Sequence, residues 1–234
     1  MFYLIGLGLD LESISAEADE ALGKCKKVYL DAYTVEFPYD VEKLAGVLGK
    51  KVIPLTRIMV EQEEFIDEAK KQDVALLVYG SPLTATTHIS LILKCKKENI
   101  PYHVFNNASI FEAVAETGLQ IYKFGKTASM PAWKEGYKPD SFKKVILDNL
   151  KINAHTLILA DIGLNFSEAL KQLKQALKGM KLEKVVVCSR LGTKESQVYY
   201  NNLDKLSAEI YAPFCFIIPG KLHFIEEEAL SLIS

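Results

Sequence analysis

The sequence predicts an α/β protein of two domains, the first built on a mostly parallel sheet and the second on a mixed one. Three observations carry this. Compact apolar runs alternate with amphipathic stretches through the first half. Beyond residue 110 the β-branched and aromatic runs crowd closer together. A length of 234 residues is enough for two hydrophobic cores. The boundary is expected near residues 112 to 125, giving domains over 1–112 and 113–234.

Each element has its own signal. FYLIGLG opens the chain as a strand, and LESISAEADEALGKC follows as a helix with Ser13 or Ser15 as its cap. KVYLDAY is a strand, DVEKLAGVLG a helix ended by Gly49, and KVIPL a third strand. EQEEFIDEAKK has helical spacing, DVALLVYG reads as a strand, THISLILKCKKE as a helix and IPYHVFN as a strand. SIFEAVAETG is expected as a helix from Ser109 to Gly118, and Gly125 to Pro139 as an irregular connection holding the only Trp. SFKKVILDNL and NFSEALKQLKQALKG are helical, and HTLILADI and EKVVVCSRLG are strands. SQVYY, roughly SAEIYA, and FCFIIPG are further strands before a terminal helix, FIEEEALSLI.

Charge and composition exclude several classes. Lys plus Arg total 28 against 30 Asp plus Glu, so no basic face for nucleic acid is expected. The series Lys171, Lys174, Lys178, Lys181 and Lys184 leaves a local basic patch open, although surface helices are often lysine-rich for solubility alone. No apolar run reaches membrane-spanning length. MFYLIGLGLD lacks the basic head of a signal peptide, and Cys25, Cys95, Cys188 and Cys215 form no CxxC pair. Reduced thiols and a cytoplasmic location are the default expectation. The four histidines, His88, His103, His155 and His223, show no metal-ligand spacing, and neither a Walker loop nor a GxSxG elbow is present.

The chemistry is expected where strands exit. YGSPLTATTHISLI follows an apolar strand with a run of small and hydroxyl residues, which leave backbone exposed and space open. IGLGLD carries Gly6 and Gly8 but lacks the third glycine of a dinucleotide fingerprint, since position 11 is Leu. NNASI places Asn106, Asn107 and Ser109 at a helix start, and HTLILADIG ends on Asp161. CSRLG and PFCFIIPGKLH are weaker stretches of the same kind. Tight turns and helix caps are the competing account of these residues, but they explain less well why residues 84 to 87, TATT, are all small. His88 offers an imidazole base, but no partner for it is legible. These residues alone describe a two-domain α/β protein with a polar, glycine-lined cleft, more consistent with an enzyme than with a structural protein.

Taken together, FYLIGLGL, GSPLTATTH, NNASIFEAVAETGLQIYKFGKTAS and IIPGKLHFIE resemble the diphthine synthase family, from Met1 to about Glu228. These are methyltransferases of the tetrapyrrole methylase fold. The resemblance implies two α/β domains with a cofactor cleft between them and a homodimer. It implies S-adenosylmethionine as methyl donor, S-adenosylhomocysteine as product and translation elongation factor two as protein substrate. The family adds methyl groups to the 3-amino-3-carboxypropyl side chain on one histidine of that factor. Archaeal members trimethylate the amine to diphthine; eukaryotic members also methylate the carboxylate. Matched motif by motif, the cofactor contacts are Leu9, Ser81, Thr84, Ser109, Ile110, Ala160, Leu191 and Phe214, with no metal and no assignable catalytic base. Ser81 stands where the family has aspartate in GDPL, and Phe214 where it often has histidine. The stretches after Asp161 and Arg190 are also shorter than in many relatives. Two alternatives stay open: methylation of a corrin or porphyrin precursor, and non-catalytic binding of an adenosyl ligand or protein. With Arg57 and Arg190 the only arginines, an anionic macrocycle is poorly matched.

Overall fold

The computed structural model describes residues 1–180, 182, 184–206 and 210–233, and the chain divides into two units, Met1–Ile110 and Phe111–Ser234. In the first, strands β1 (Phe2–Gly6), β2 (Lys27–Asp31), β3 (Val52–Leu55), β4 (Val74–Val78) and β5 (Tyr102–Phe105) form one sheet in the order β3-β2-β4-β1-β5. Every pairing in it is parallel. Side chains alternate between faces: Phe2 and Leu4 join Leu76 and Val78 in one core, while Tyr3 and Ile5 join Leu30 and Leu77 in another. Both faces are therefore covered, which is why the central runs FYLIG and VALLV are buried throughout instead of alternating with polar residues.

Helices on this sheet carry the signals read from the sequence. Ser15 caps α1 (Ala16–Lys24) by accepting from the Ala18 amide, and Gly49, at φ 59°, ends α2 (Val41–Leu48). The stretch EQEEFIDEAKK differs from its expectation as one helix. Helix α3 (Arg57–Gln62) stops at Glu63, whose φ is 58°, and Glu64–Lys70 continues as a 3-10 helix. That break turns Phe65, Ile66 and Ala69 into the core. No Gly or Pro marks it in the sequence. Helix α4 (Ile89–Lys97) follows the hydroxyl-rich loop.

Helix α5 (Ile110–Ala113) is a single turn, continued by a 3-10 turn over Val114–Thr117, so SIFEAVAETG is shorter in α-helix than expected. The second unit then runs β6 (Ala128–Met130), α6 (Ser141–Lys151), β7 (Thr156–Ala160), α7 (Phe166–Ala176), β8 (Val185–Ser189), β9 (Gln197–Asn201), β10 (Phe214–Ile218) and α8 (Phe224–Ser231). Its sheet order is β6-β7-β10-β8-β9, with β6 parallel to β7 and the other pairs antiparallel. Phe142, Ile146, Ile158, Phe166, Leu173, Val187 and Phe216 form its core. Strand β6 corrects the expectation of an irregular connection. Ala128 and Met130 are buried while Ser129 is exposed, an alternation too short to stand out among Gly, Pro and Trp. Of the expected strand SAEIYA, residues 207–209 lie outside the described residues, as does Lys181, and 210–212 are irregular.

Candidate cofactor site

Strands β4, β1 and β5 are neighbours and parallel, so their exits share one edge of the first sheet. Gly8 and Gly80 exchange backbone hydrogen bonds of 3.1 and 2.8 Å across those exits, and the Tyr79 hydroxyl donates to the Leu9 carbonyl at 2.8 Å. A Cβ placed on Gly80 would stand 3.9 Å from Leu9 Cδ2 and 3.8 Å from Ser109 Cα. Leu9, the turn at Gly80 and Ser81, and Ser109 are thus gathered at one place. Leu9 and Ser109 are buried, while Ser81, Thr84 and Ile110 are half-buried. Asn107 braces the group: its side-chain amide donates to the carbonyls of Gly6 at 3.1 Å and Ser13 at 2.8 Å.

The glycines do not leave open space here. A Cβ on Gly6 would fall 2.6 Å from the Gly80 carbonyl oxygen and 2.9 Å from Pro82 Cδ; one on Gly8, whose φ is 74°, 2.6 Å from Ser13 Cβ. Their role is to let the β1 exit pack closely against the Gly80 carbonyl and the side chains of Pro82, Asn107 and Ser13. The hydroxyl-rich loop is likewise partly spent on itself: Thr86 Oγ1 donates to the Pro82 carbonyl at 2.8 Å, and the Thr84 amide to the Ser81 carbonyl at 3.1 Å. Gly80 is the exception, with only ordinary contacts where its Cβ would be. Ser81 and Thr84 stand at this edge with Leu9 and Ile110, polar anchors beside apolar surface of the kind a small-molecule site combines.

His88 is not presented as a base. Its side chain is 1% exposed, with Nδ1 3.0 Å from the Pro82 carbonyl and Nε2 2.9 Å from Oδ2 of Asp31, itself wholly buried. A group enclosed in this way cannot reach a substrate proton. Nothing in the spacing of Asp31 and His88 announced their meeting, which follows from β2 and β4 being adjacent. An aromatic cluster of Phe37, Tyr39 and Tyr79, with ring centroids 5.5 to 6.4 Å apart, stands beside the Leu9 turn. Burial first, and then the charge of Asp10, push the Tyr39 hydroxyl well above the usual tyrosine range.

In the second unit the register brings Ala160, Leu191 and Phe214 to one end of the sheet. Cys215 pairs with Leu159 and Phe214 with Ser189, so Phe214 lies beside the end of β7 and the end of β8. Its ring meets Phe166 and Phe216 edge-to-face at 5.5 and 5.8 Å, which makes it an apolar wall anchored on its own core. Leu191 is buried after Arg190, whose guanidinium lies 5.3 Å over the Tyr211 ring while its Nε donates to the Ala212 carbonyl at 3.0 Å. Asp161 is spent on loop structure: it accepts from the amides of Ala132 at 3.2 Å and Ile162 at 3.0 Å.

The motifs IYKFGK and PGKLHFIE meet through Glu226. Its buried carboxylate accepts from the amides of Gln120 at 2.9 Å and His223 at 2.7 Å, from Lys123 Nζ, and from His155 at 3.0 Å. The Gly220 amide donates to His155 Nδ1 at 2.9 Å, so Nε2 carries the proton toward Glu226 and the ring is neutral. Burial pushes the Glu226 carboxyl up, but Lys123, the two amides and His155 outweigh it and hold it at about 2. Burial also draws His155 below the ordinary histidine range. Glycines in and just before these motifs make close contacts: a Cβ on Gly118 would fall 2.3 Å from Ala229 Cβ, and one on Gly220 2.5 Å from the Asn153 carbonyl oxygen. This network escaped the sequence reading. Its available signal was the charged and glycine residues recurring within two otherwise apolar motifs.

Comparison with known proteins agrees with this architecture. The family model for tetrapyrrole (corrin/porphyrin) methylases matches residues 1–207. The diphthine synthase of Methanocaldococcus jannaschii is 37% identical over 255 residues, covering 100% of this chain and 98% of that protein. The diphthine methyl ester synthase of Schizosaccharomyces pombe is 44% identical over 165 residues, covering 69% of this chain and 58% of that longer protein. A crystal structure of diphthine synthase superposes with a TM-score of 0.91 at 31% identity, covering 100% of this chain and 95% of that one. The chain belongs to the diphthine synthase family, within the S-adenosylmethionine-dependent tetrapyrrole methylases.

Proposed function

We propose that the chain transfers methyl groups from S-adenosylmethionine to the amine of 3-amino-3-carboxypropyl-histidine on translation elongation factor two, giving diphthine. The observation that carries this reading is the end-to-end match to an archaeal diphthine synthase. The contacts assigned are Leu9, Ser81, Thr84, Ser109 and Ile110 from the first unit, and Ala160, Leu191 and Phe214 from the second. The chain works as a cytosolic homodimer in this reading.

The donor supplies a sulfonium methyl with a neutral thioether leaving group. The amine lone pair forms the new C–N bond as the C–S pair withdraws to sulfur. The ammonium first gives one proton to water to free that lone pair, the first two transfers release the two that remain, and the third leaves a quaternary ammonium with none to lose. An aliphatic amine titrates near the lysine range, about 10, so alignment and a dry surface matter more than a strong base. That fits a site whose contacts are hydroxyls, backbone and apolar walls. Both arginines are already engaged, Arg57 with Glu61 and Arg190 with Glu195, which weighs against an anionic corrin or porphyrin substrate.

A second reading, further methylation of the carboxylate, is favoured by the 44% identity to the S. pombe methyl ester synthase. Incubation with S-adenosylmethionine and elongation factor bearing the modified histidine, read by mass spectrometry, separates the two. Three methyl-sized steps stable to mild base support diphthine, and a fourth that mild base removes supports the ester. Equal labelling of factor lacking the modified histidine, or labelling of a porphyrin precursor instead, overturns the proposal.

A further inference from the structure

Asp31 and His88 form the most enclosed charged contact of the first unit, with side chains 0% and 1% exposed. Asp31 closes β2, and its Oδ1 accepts from the amides of Tyr33 at 3.1 Å and Thr34 at 3.2 Å. Its Oδ2 faces His88 Nε2 at 2.9 Å, off the line of a hydrogen bond, and neither atom has a hydrogen-bond partner. The other ring nitrogen decides the proton count. His88 Nδ1 lies 3.0 Å from the Pro82 carbonyl, and a carbonyl only accepts, so Nδ1 carries a hydrogen. A neutral ring would then turn a bare Nε2 lone pair toward a carboxylate lone pair at 2.9 Å, away from water. Buried polar atoms are not left in that state without large cost. One additional proton turns the contact into attraction.

We propose that Asp31 and His88 hold that proton between them and act as a positioning pair for the cofactor loop. The inference rests on the reading of Ser81 and Thr84 as cofactor contacts. The ring ties three things together: the exit of β2 through Asp31, the loop through the Pro82 carbonyl, and the start of α4, which His88 precedes. Pro82 directly follows Ser81, and its carbonyl also receives Thr86 Oγ1 at 2.8 Å. The pair therefore sets Ser81 and Thr84 without touching a substrate. This also accounts for the histidine that ends GSPLTATTH.

Nitrogen-15 NMR of the intact protein, together with methyl-transfer kinetics, tests both halves. Wild type is expected to show both His88 ring nitrogens protonated at neutral pH. His88→Ala is expected to raise KM for S-adenosylmethionine about tenfold while kcat at saturation stays within about twofold, the pattern of lost binding geometry. Should that variant fail to fold, Asp31→Asn keeps the shape. Its amide can donate to a bare Nε2, so the Nε2 proton signal should vanish with a smaller rise in KM. A ring with one bare nitrogen in wild type overturns the proton. An unchanged KM in the variants, or a loss confined to kcat, overturns the positioning role. Failure of wild type to bind S-adenosylmethionine removes the positioning role with the cofactor reading, while the ring signals still report the proton.

Discussion

Glu226 and His155 meet at 3.0 Å with neither side chain exposed, and the same carboxylate receives Lys123 and two backbone amides. Glu226 is held at about 2 against an ordinary 4.5. A depressed carboxyl contributes stability that is fully present above the unfolded value and is lost as pH falls through the folded one. The shift corresponds to roughly 3 kcal/mol. Glu226→Gln should therefore lower unfolding free energy by about 3 kcal/mol at pH 7, by urea titration, because Lys123 loses its partner. The gap between variant and wild type should close between pH 4.5 and 2. His155, kept neutral by burial, adds a weaker trend of the same sign as pH drops below 6.5.

Gly118 is constrained twice, by a φ of 81° and by Ala229. Gly118→Ala should destabilise by about 2–4 kcal/mol, from left-handed strain of about 1 and overpacking of about 1–3. Ala229→Gly in the same chain should recover the overpacking part and leave the strain. Equal melting of the single and double variants would show that the methyl clash is absent.

Asn149 bridges α6 to the loop before β6. It accepts from the Lys126 amide at 3.0 Å and donates to the Lys126 carbonyl at 2.8 Å and to Thr156 Oγ1 at 2.9 Å. Asn149→Asp removes both donated bonds and buries a charge. A loss of about 2–4 kcal/mol is expected at neutral pH, shrinking in acid as the new carboxyl protonates. A calorimetric midpoint unmoved at neutral pH would contradict the bridging role.

The family resemblance sets Ser81 where GDPL has its aspartate. Restoring the charge should favour a cationic donor by about 1 kcal/mol at a half-exposed site, or about fivefold in affinity. Ser81→Asp is expected to bind S-adenosylmethionine more tightly than wild type while its affinity for the neutral-sulfur product rises less. Identical titration curves for the two proteins would remove Ser81 from the site.

Much of the fold was legible because its strands are short apolar runs between amphipathic helices. FYLIG and VALLV read as strands, Gly49 marks a helix end by its chemistry, and of the two cap candidates, Ser13 and Ser15, the cap is Ser15. The misses share a physical cause. Glu63 breaks a helix through tertiary packing of Phe65 and Ile66, which no local signal records. Ala128–Met130 pairs with β7 over three residues, shorter than any detectable period. At the strand exits the sequence marked glycines and small residues, but not what fills the space beside them. Gly6 and Gly8 read equally as tight-turn glycines or as a close approach to a ligand, and Gly80, Pro82 and Ser13 are what stands beside them. The partnerships of His88 with Asp31 and of His155 with Glu226 join residues 57 and 71 positions apart, and only the topology brings them together.

The most direct test is equilibrium binding of S-adenosylmethionine to the intact chain and to two separate variants, Ser109→Trp in the first unit and Leu191→Trp in the second. A single site lost in both variants, with both still melting cooperatively, is the expected result, since the proposed function gives both residues to one cofactor. Undiminished binding in either variant would contradict the assignment of one cofactor to residues from both units.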